Sequence, residues 1–246
     1  MKILKKITAA ALCLFIGITA VSADMIPFDA MPAWSEEQIV INTDDEIILS
    51  SADVAGMTMA QLDIKAGSML LMDADTGKVM YEQNAHEQRS PASITKIMTM
   101  LLVMEEIERG SISLQDKVTA SPHACSMGGS QIWLGPNEVM TVDELLRAVA
   151  IGSANDASVA LAEFISGSEE VFADRMNRRS AELGMTKTVF KNASGLDEDG
   201  HVSTAFDIAI MSRELLKHEL ASKYSAIWMD SLRGGKTALV NTNKVA

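Results

Sequence analysis

The sequence predicts an α+β fold in which helices predominate. One short β-hairpin pattern, at 66–81, is followed by a succession of apolar periodicities of the helical kind. Strands and helices do not alternate along the chain, as a doubly wound parallel sheet would require. The 246 residues, 48% hydrophobic and 22% charged, suffice for one or two globular domains with a sizeable core and no disulfides.

The first 23 residues lie outside that fold. Lys2, Lys5 and Lys6 make a basic start, 9–18 is an apolar run, and Val21-Ser22-Ala23 offers the small residues that signal peptidase accepts. The segment reads as a secretory signal peptide cut before Asp24. Its apolar run falls short of the roughly 20 residues a membrane-spanning helix needs. Residues 24–60 form an acidic leader without Lys or Arg, expected to be partly ordered at best. Within it, Gln38 to Ser50 fits a short hairpin that turns at Asn42-Thr43-Asp44-Asp45.

From residue 61 the pattern sharpens. Ala66–Met72 and Lys78–Tyr81 read as strands around an Asp73–Gly77 turn, where glycine can take positive φ. Ile94, Ile97, Met98, Leu101, Leu102 and Ile107 give a helical stripe over Ser93–Arg109, stopped by Gly110. Thr141-Val142-Asp143-Glu144 is a capping box that opens a helix through about Ala150. Asp156–Ile165 is a second apolar helix. Ser168 caps a helix over Glu169–Leu183 that Gly184 ends, and Thr204 with Asp207 opens one over Ala205–Lys217.

Composition excludes several functions. The net charge is −12, with 21 basic and 33 acidic residues, which argues against a nucleic-acid partner and against adhesion to an anionic membrane. Cys13 lies in the signal segment, leaving Cys125 alone, so no internal disulfide is expected; Cys125 reads as a small apolar residue rather than a nucleophile. His86, His123, His201 and His218 lack metal-ligand spacing. There is no Gly-rich phosphate loop and no Gly-x-Ser-x-Gly elbow. Neither a metal nor another cofactor is expected.

Two short motifs remain. Ser93-Ile-Thr-Lys96 follows Pro91 and opens an apolar helix, placing a serine and a lysine on one helix face. At a helix start the serine stands beside unpaired N–H groups, and a desolvated, neutral lysine amine can take its proton. Taken alone, the pair equally fits a capping serine with a solvated lysine. Ser153-Ala-Asn155 falls between two helical patterns. It fits an ordinary capping loop, or a second serine that relays a proton beside an asparagine that binds a substrate amide.

The combination is more specific. Pro91-Ala-Ser-Ile-Thr-Lys-Ile-Met-Thr99 follows the Thr76-Gly-Lys-Val79 hairpin; Ser153-Ala-Asn155 comes next. Asn192-Ala-Ser-Gly-Leu-Asp197 and Gly200-His-Val-Ser-Thr-Ala-Phe-Asp207 complete the set. From about residue 60 to the end the chain resembles the low-molecular-weight penicillin-binding proteins, serine-type D-alanyl-D-alanine carboxypeptidases. The resemblance implies the penicillin-binding/serine β-lactamase-like fold, a helix-rich cluster on an antiparallel sheet. It implies a catalytic domain over 61–246, with Ser93 as acyl nucleophile, Lys96 as general base, Ser153 as proton relay and Asn155 holding the substrate's peptide group. The implied substrate is a peptidoglycan stem peptide ending in D-Ala-D-Ala, trimmed outside the cytoplasmic membrane of a bacterium. β-Lactams would be the inhibitors, and no cofactor would be needed.

The family's third motif, Lys-Thr-Gly or Lys-Ser-Gly, does not occur: Gly235-Lys236-Thr237 is followed by Ala238. The surrounding Arg233–Lys244 segment resembles the stretch just before that motif. Losing one oxyanion donor costs on the order of 10²–10³ in rate. The expectation is therefore a fragment of low stability and little activity. The family's second β-rich domain and amphipathic membrane anchor do not occur before Ala246. Two other readings stay open: a serine β-lactamase, and an exported, non-catalytic muropeptide-binding pseudoenzyme. The Thr76-Gly-Lys-Val79 and Asn192–Asp197 segments favour the carboxypeptidase.

Overall fold

The computed structural model describes the strands at 38–42 and 46–50 and the continuous stretch 65–241. The signal peptide expected at 1–23 and most of the leader lie outside the described residues. The chain divides into two compact units, Met1–Ala85 and His86–Ala246.

In the first unit, β1 (Gln38–Asn42) and β2 (Glu46–Ser50) pair antiparallel with Asn42 opposite Glu46, at the hairpin expected there. The second hairpin joins β3 (Met69–Met72) to β4 (Val79–Gln83). Its turn is built by Asp73, whose Oδ1 accepts from Thr76 N at 2.7 Å, and by Gly77 at φ 72°. The strands are displaced from the expected 66–72 and 78–81. The Gln83 and Asn84 side chains take the carbonyls of Ala66 and Gly67 at 3.1 Å, so hydrogen bonding there passes from backbone to side chains.

The second unit is mainly helical: α1 (Lys96–Glu108), α2 (Pro122–Cys125), α3 (Val142–Gly152), α4 (Asn155–Ser166), α5 (Glu169–Glu182), α6 (Ala205–Leu215) and α7 (Glu219–Ser225). The expected capping residues act as such. Thr141 Oγ1 accepts from Glu144 N, and Glu144 returns a bond to Thr141 N, at 3.1 and 2.8 Å. Ser168 and Thr204 cap α5 and α6. Two short antiparallel strand pairs escaped sequence reading, β5 (Lys117–Thr119) with β6 (Val139–Thr141), and the hairpin of β7 (Met229–Leu232) with β8 (Thr237–Val240). Strands of three or four residues are too short to display a period. Arg233-Gly234-Gly235-Lys236 forms the β7–β8 turn, with Gly235 at φ 92°, and Thr237 opens β8 opposite Leu232.

Helices α1 and α4 form the centre of this unit and pack against each other. Every residue from Met98 through Met104 is buried, and so is every residue from Asn155 through Ala162. Burial of consecutive residues covers all faces of a helix, unlike a surface helix with one apolar stripe. Leu145, Leu146 and Val149 of α3 complete the core around them. Lys96 begins α1 and Asn155 begins α4, so the motif residues stand where the two most buried helices start. Among the described residues no helix is long and apolar enough to cross a membrane.

Replacing Thr141 with Ala should remove the reciprocal cap of α3 and destabilise the protein by about 1 kcal/mol. Urea unfolding would show this as a lower midpoint at unchanged slope.

Candidate active site

Ser93 does not lie in the α-helix expected from the periodicity. Residues Ala92–Thr95 form a 3₁₀ turn, and α1 begins only at Lys96. In a 3₁₀ turn the side chains at i and i+3 eclipse, which sets Lys96 over Ser93 more closely than α-helical spacing would. Lys96 Nζ lies 3.2 Å from Ser93 Oγ and donates to the Ser194 carbonyl at 2.6 Å. Ser93 is exposed, whereas Lys96 is only 4% exposed. Burial pulls the ammonium down from its ordinary value to about 8. Among the described residues no carboxylate forms an ion pair with it.

The turn is held against the Asn192–Gly195 segment. Ala92 has φ 45°, a left-handed conformation costly for a residue with Cβ. Gly195, at φ 82°, lies directly against it: a Cβ on Gly195 would sit 1.8 Å from the Ala92 carbonyl oxygen. This position therefore requires glycine twice over, for its backbone angle and for its space. Asn192 Oδ1 accepts from Gly195 N at 2.7 Å, and Thr99 Oγ1 of α1 donates to the Ala193 carbonyl at 2.7 Å. Glu169 accepts from Ala193 N at 2.9 Å and pairs with His123 Nε2 at 2.8 Å, which raises the histidine above its ordinary pKa.

Ser153 and Asn155 occupy the short connection between α3 and α4. Ser153 is the C-cap of α3, in the left-handed region at φ 52°. It is half-buried, and among the described residues its hydroxyl bonds neither Ser93 nor Lys96. Asn155 is 5% exposed. Its backbone N donates to Ser130 O and its Nδ2 to Gly128 O, both at 2.7 Å. Its Oδ1 is buried without a hydrogen-bond partner. An orphaned buried acceptor costs about 1–3 kcal/mol, and a ligand N–H would relieve it.

Sequence reading missed the groups that shape the neighbouring loop. Asp156 is fully buried and accepts from Ile132 N at 3.1 Å and Leu134 N at 3.0 Å. From the other side, Arg233 donates to the Ile132 carbonyl at 2.9 Å and pairs with Glu138 at 2.6 Å. That guanidinium holds the Glu138 carboxyl below its ordinary value. The loop between these anchors presents Trp133, 76% exposed and at φ 58°. No local signal marks Asp156 or Arg233, because their partners lie 22 to 101 residues away in sequence.

Cys125 is half-buried, and its thiol is raised above the ordinary value by burial. Among the described residues no group of His, Cys, Asp or Glu is arranged to hold a metal ion.

Ser93 is exposed beside the buried Lys96, which has no ion-pair partner among the described residues, and Asn155 opens α4 with its Oδ1 unpartnered. The fold is that of penicillin-binding proteins. The chain superposes on penicillin-binding protein 6B of Escherichia coli with a TM-score of 0.71 and 33% identity, over 75% of this chain and 60% of that one. The ampicillin-bound penicillin-binding protein D2 of Listeria monocytogenes matches with a TM-score of 0.66 and 28% identity, over 75% of each chain. Residues 55–246 match the family described as D-alanyl-D-alanine carboxypeptidase, and the chain belongs to that family. It is 53% identical over 193 residues to the D-alanyl-D-alanine carboxypeptidase DacF of Bacillus subtilis, covering 77% of this chain and 50% of the relative. The chain thus spans about half the length of the curated relatives it matches.

Substituting Ala for Gly195 should drive a methyl group into the Ala92 carbonyl and lower stability by about 2–4 kcal/mol. Thermal melting would register it, and Gly184→Ala is the control, having positive φ but open space around it.

Proposed function

We propose that this protein removes the terminal D-alanine from peptidoglycan stem peptides ending in D-Ala-D-Ala, through an acyl-enzyme on Ser93. The observation that carries the reading is the position of Lys96 Nζ, 3.2 Å from Ser93 Oγ and buried away from carboxylates. The neutral amine takes the serine proton as Oγ attacks the carbonyl carbon of the penultimate D-alanine. The tetrahedral intermediate collapses to a serine ester, and the terminal D-alanine leaves as an amine once it has gained a proton. Ser153, at the α3–α4 connection, relays that proton. Water then hydrolyses the ester, returning Ser93 and the shortened peptide. Asn155 Oδ1, the buried acceptor without a partner, receives an N–H of the peptide on the acyl side.

Family membership supports this reading, and so does the ampicillin-bound form of the Listeria homologue. The basic start, apolar run and Val21-Ser22-Ala23 support export, with action on the wall outside the cytoplasmic membrane.

A fluorescent penicillin followed by mass spectrometry tests the proposal. It should label the protein at Ser93, more slowly than a relative that carries Lys-Thr-Gly or Lys-Ser-Gly, and Ser93→Ala should abolish labelling. Lys96→Ala should slow acylation about 10²–10⁴-fold. Rapid turnover of the penicillin in place of a lasting adduct would indicate a β-lactamase; no adduct at all would overturn the enzymatic reading.

With Lys96 held near 8, its neutral fraction increases as pH rises. The acylation rate should climb about tenfold between pH 7 and pH 9 and then level off. A rate that is flat over that range would remove Lys96 as the base.

A further inference from the structure

We infer that His201 is a positioning residue for the Ser93–Lys96 pair: one buried imidazole fastens the turn bearing both residues to the segment whose carbonyl receives the lysine. The inference rests on the reading of Ser93 and Lys96 as the reacting pair.

His201 is 3% exposed and makes two hydrogen bonds to opposite sides of the site. Nε2 lies 2.8 Å from Thr95 Oγ1, and Nδ1 lies 3.3 Å from the backbone N of Lys191. A backbone N–H can only donate, so Nδ1 accepts; the ring proton is then on Nε2 and is given to Thr95. Thr95 immediately precedes Lys96, and Lys191 belongs to the stretch that leads into Ser194. The imidazole, which reaches Thr95 across 106 positions of sequence, therefore links the residue beside the base to the segment that binds the base. Phe190 meets the ring edge-on, with centroids 5.9 Å apart and planes at 82°, and limits its rotation.

The bond from Lys191 requires a neutral ring. A protonated imidazole would turn a second N–H toward the Lys191 N–H, donor against donor. Asp197 and Glu198 favour the charged ring and Lys191 opposes it, but burial outweighs them and lowers His201 below its ordinary value. The clasp matters to Lys96 because that amine is depressed by burial. If the turn and the Asn192–Gly195 segment part even slightly, water reaches Nζ and the desolvation is relieved.

A histidine that merely filled the core would, when replaced, lower the melting temperature and leave the titration of Lys96 alone. The test follows Lys96 by NMR in ¹³Cε-lysine-labelled protein from about pH 6 to 11. It compares the unsubstituted chain with His201→Ala, His201→Gln and Thr95→Val, with thermal melts alongside. Lys96 should titrate near 8 in the unsubstituted protein. It should stay there in His201→Gln, whose carboxamide can both donate and accept. It should move up by about one unit in His201→Ala and in Thr95→Val.

An unmoved Lys96 in a folded His201→Ala overturns the inference, as does a shift in His201→Gln as large as in His201→Ala. Should His201→Ala not fold, Thr95→Val decides by the same criterion. Penicillin acylation of the same samples separates the two ideas. An unsubstituted protein that takes no penicillin defeats the carboxypeptidase reading, while the Lys96 titration still judges the clasp.

Discussion

The structure of the site depends on keeping one lysine dry and without a counter-ion. An ammonium group buried without a carboxylate is expensive, and the expense is what brings its pKa toward neutrality. Lys96 is held in that state by a single backbone carbonyl, that of Ser194, at 2.6 Å, with Ser93 Oγ at 3.2 Å. A carboxylate in place of that carbonyl would secure the lysine and also keep it protonated. The choice of a neutral acceptor leaves the amine able to accept a proton as well as to donate one.

Much of the surrounding architecture serves to hold that carbonyl in place. Gly195 permits the close approach to Ala92, Asn192 folds the segment back on itself, and Thr99 fixes Ala193 from within α1. Glu169, braced by His123, secures the outer side of the same segment. The backbone strain at Ala92 is thus over-determined by contacts from several elements, as strained residues at functional sites usually are.

A second framework orders the other wall. Asn155 and Asp156 begin α4 side by side but bond different parts of the 128–134 loop, one through Gly128 and Ser130, the other through Ile132 and Leu134. The start of one buried helix therefore both presents an amide and shapes the loop in front of it. Arg233 closes the loop from the β7–β8 hairpin, which ties that late segment of the chain to the site.

Local chemistry alone determined the α+β class, the capping residues Thr141, Ser168 and Thr204, the Gly77 turn, and the candidacy of Ser93, Lys96 and Asn155. Each depends on neighbours a few residues apart, where spacing and side-chain type suffice. The resemblance to the carboxypeptidase family joined motifs that spacing left ambiguous. Tertiary structure decided the rest. It replaced the first helical turn by a 3₁₀ turn at Ala92–Thr95, and it selected Ser194 O as the partner of Lys96. It also gave His201, Asp156 and Arg233 roles that no periodicity announces. Most of those contacts join positions 22 to 106 residues apart. Whether such groups meet depends on how buried helices pack, and that is a property of the whole core rather than of any stretch of sequence.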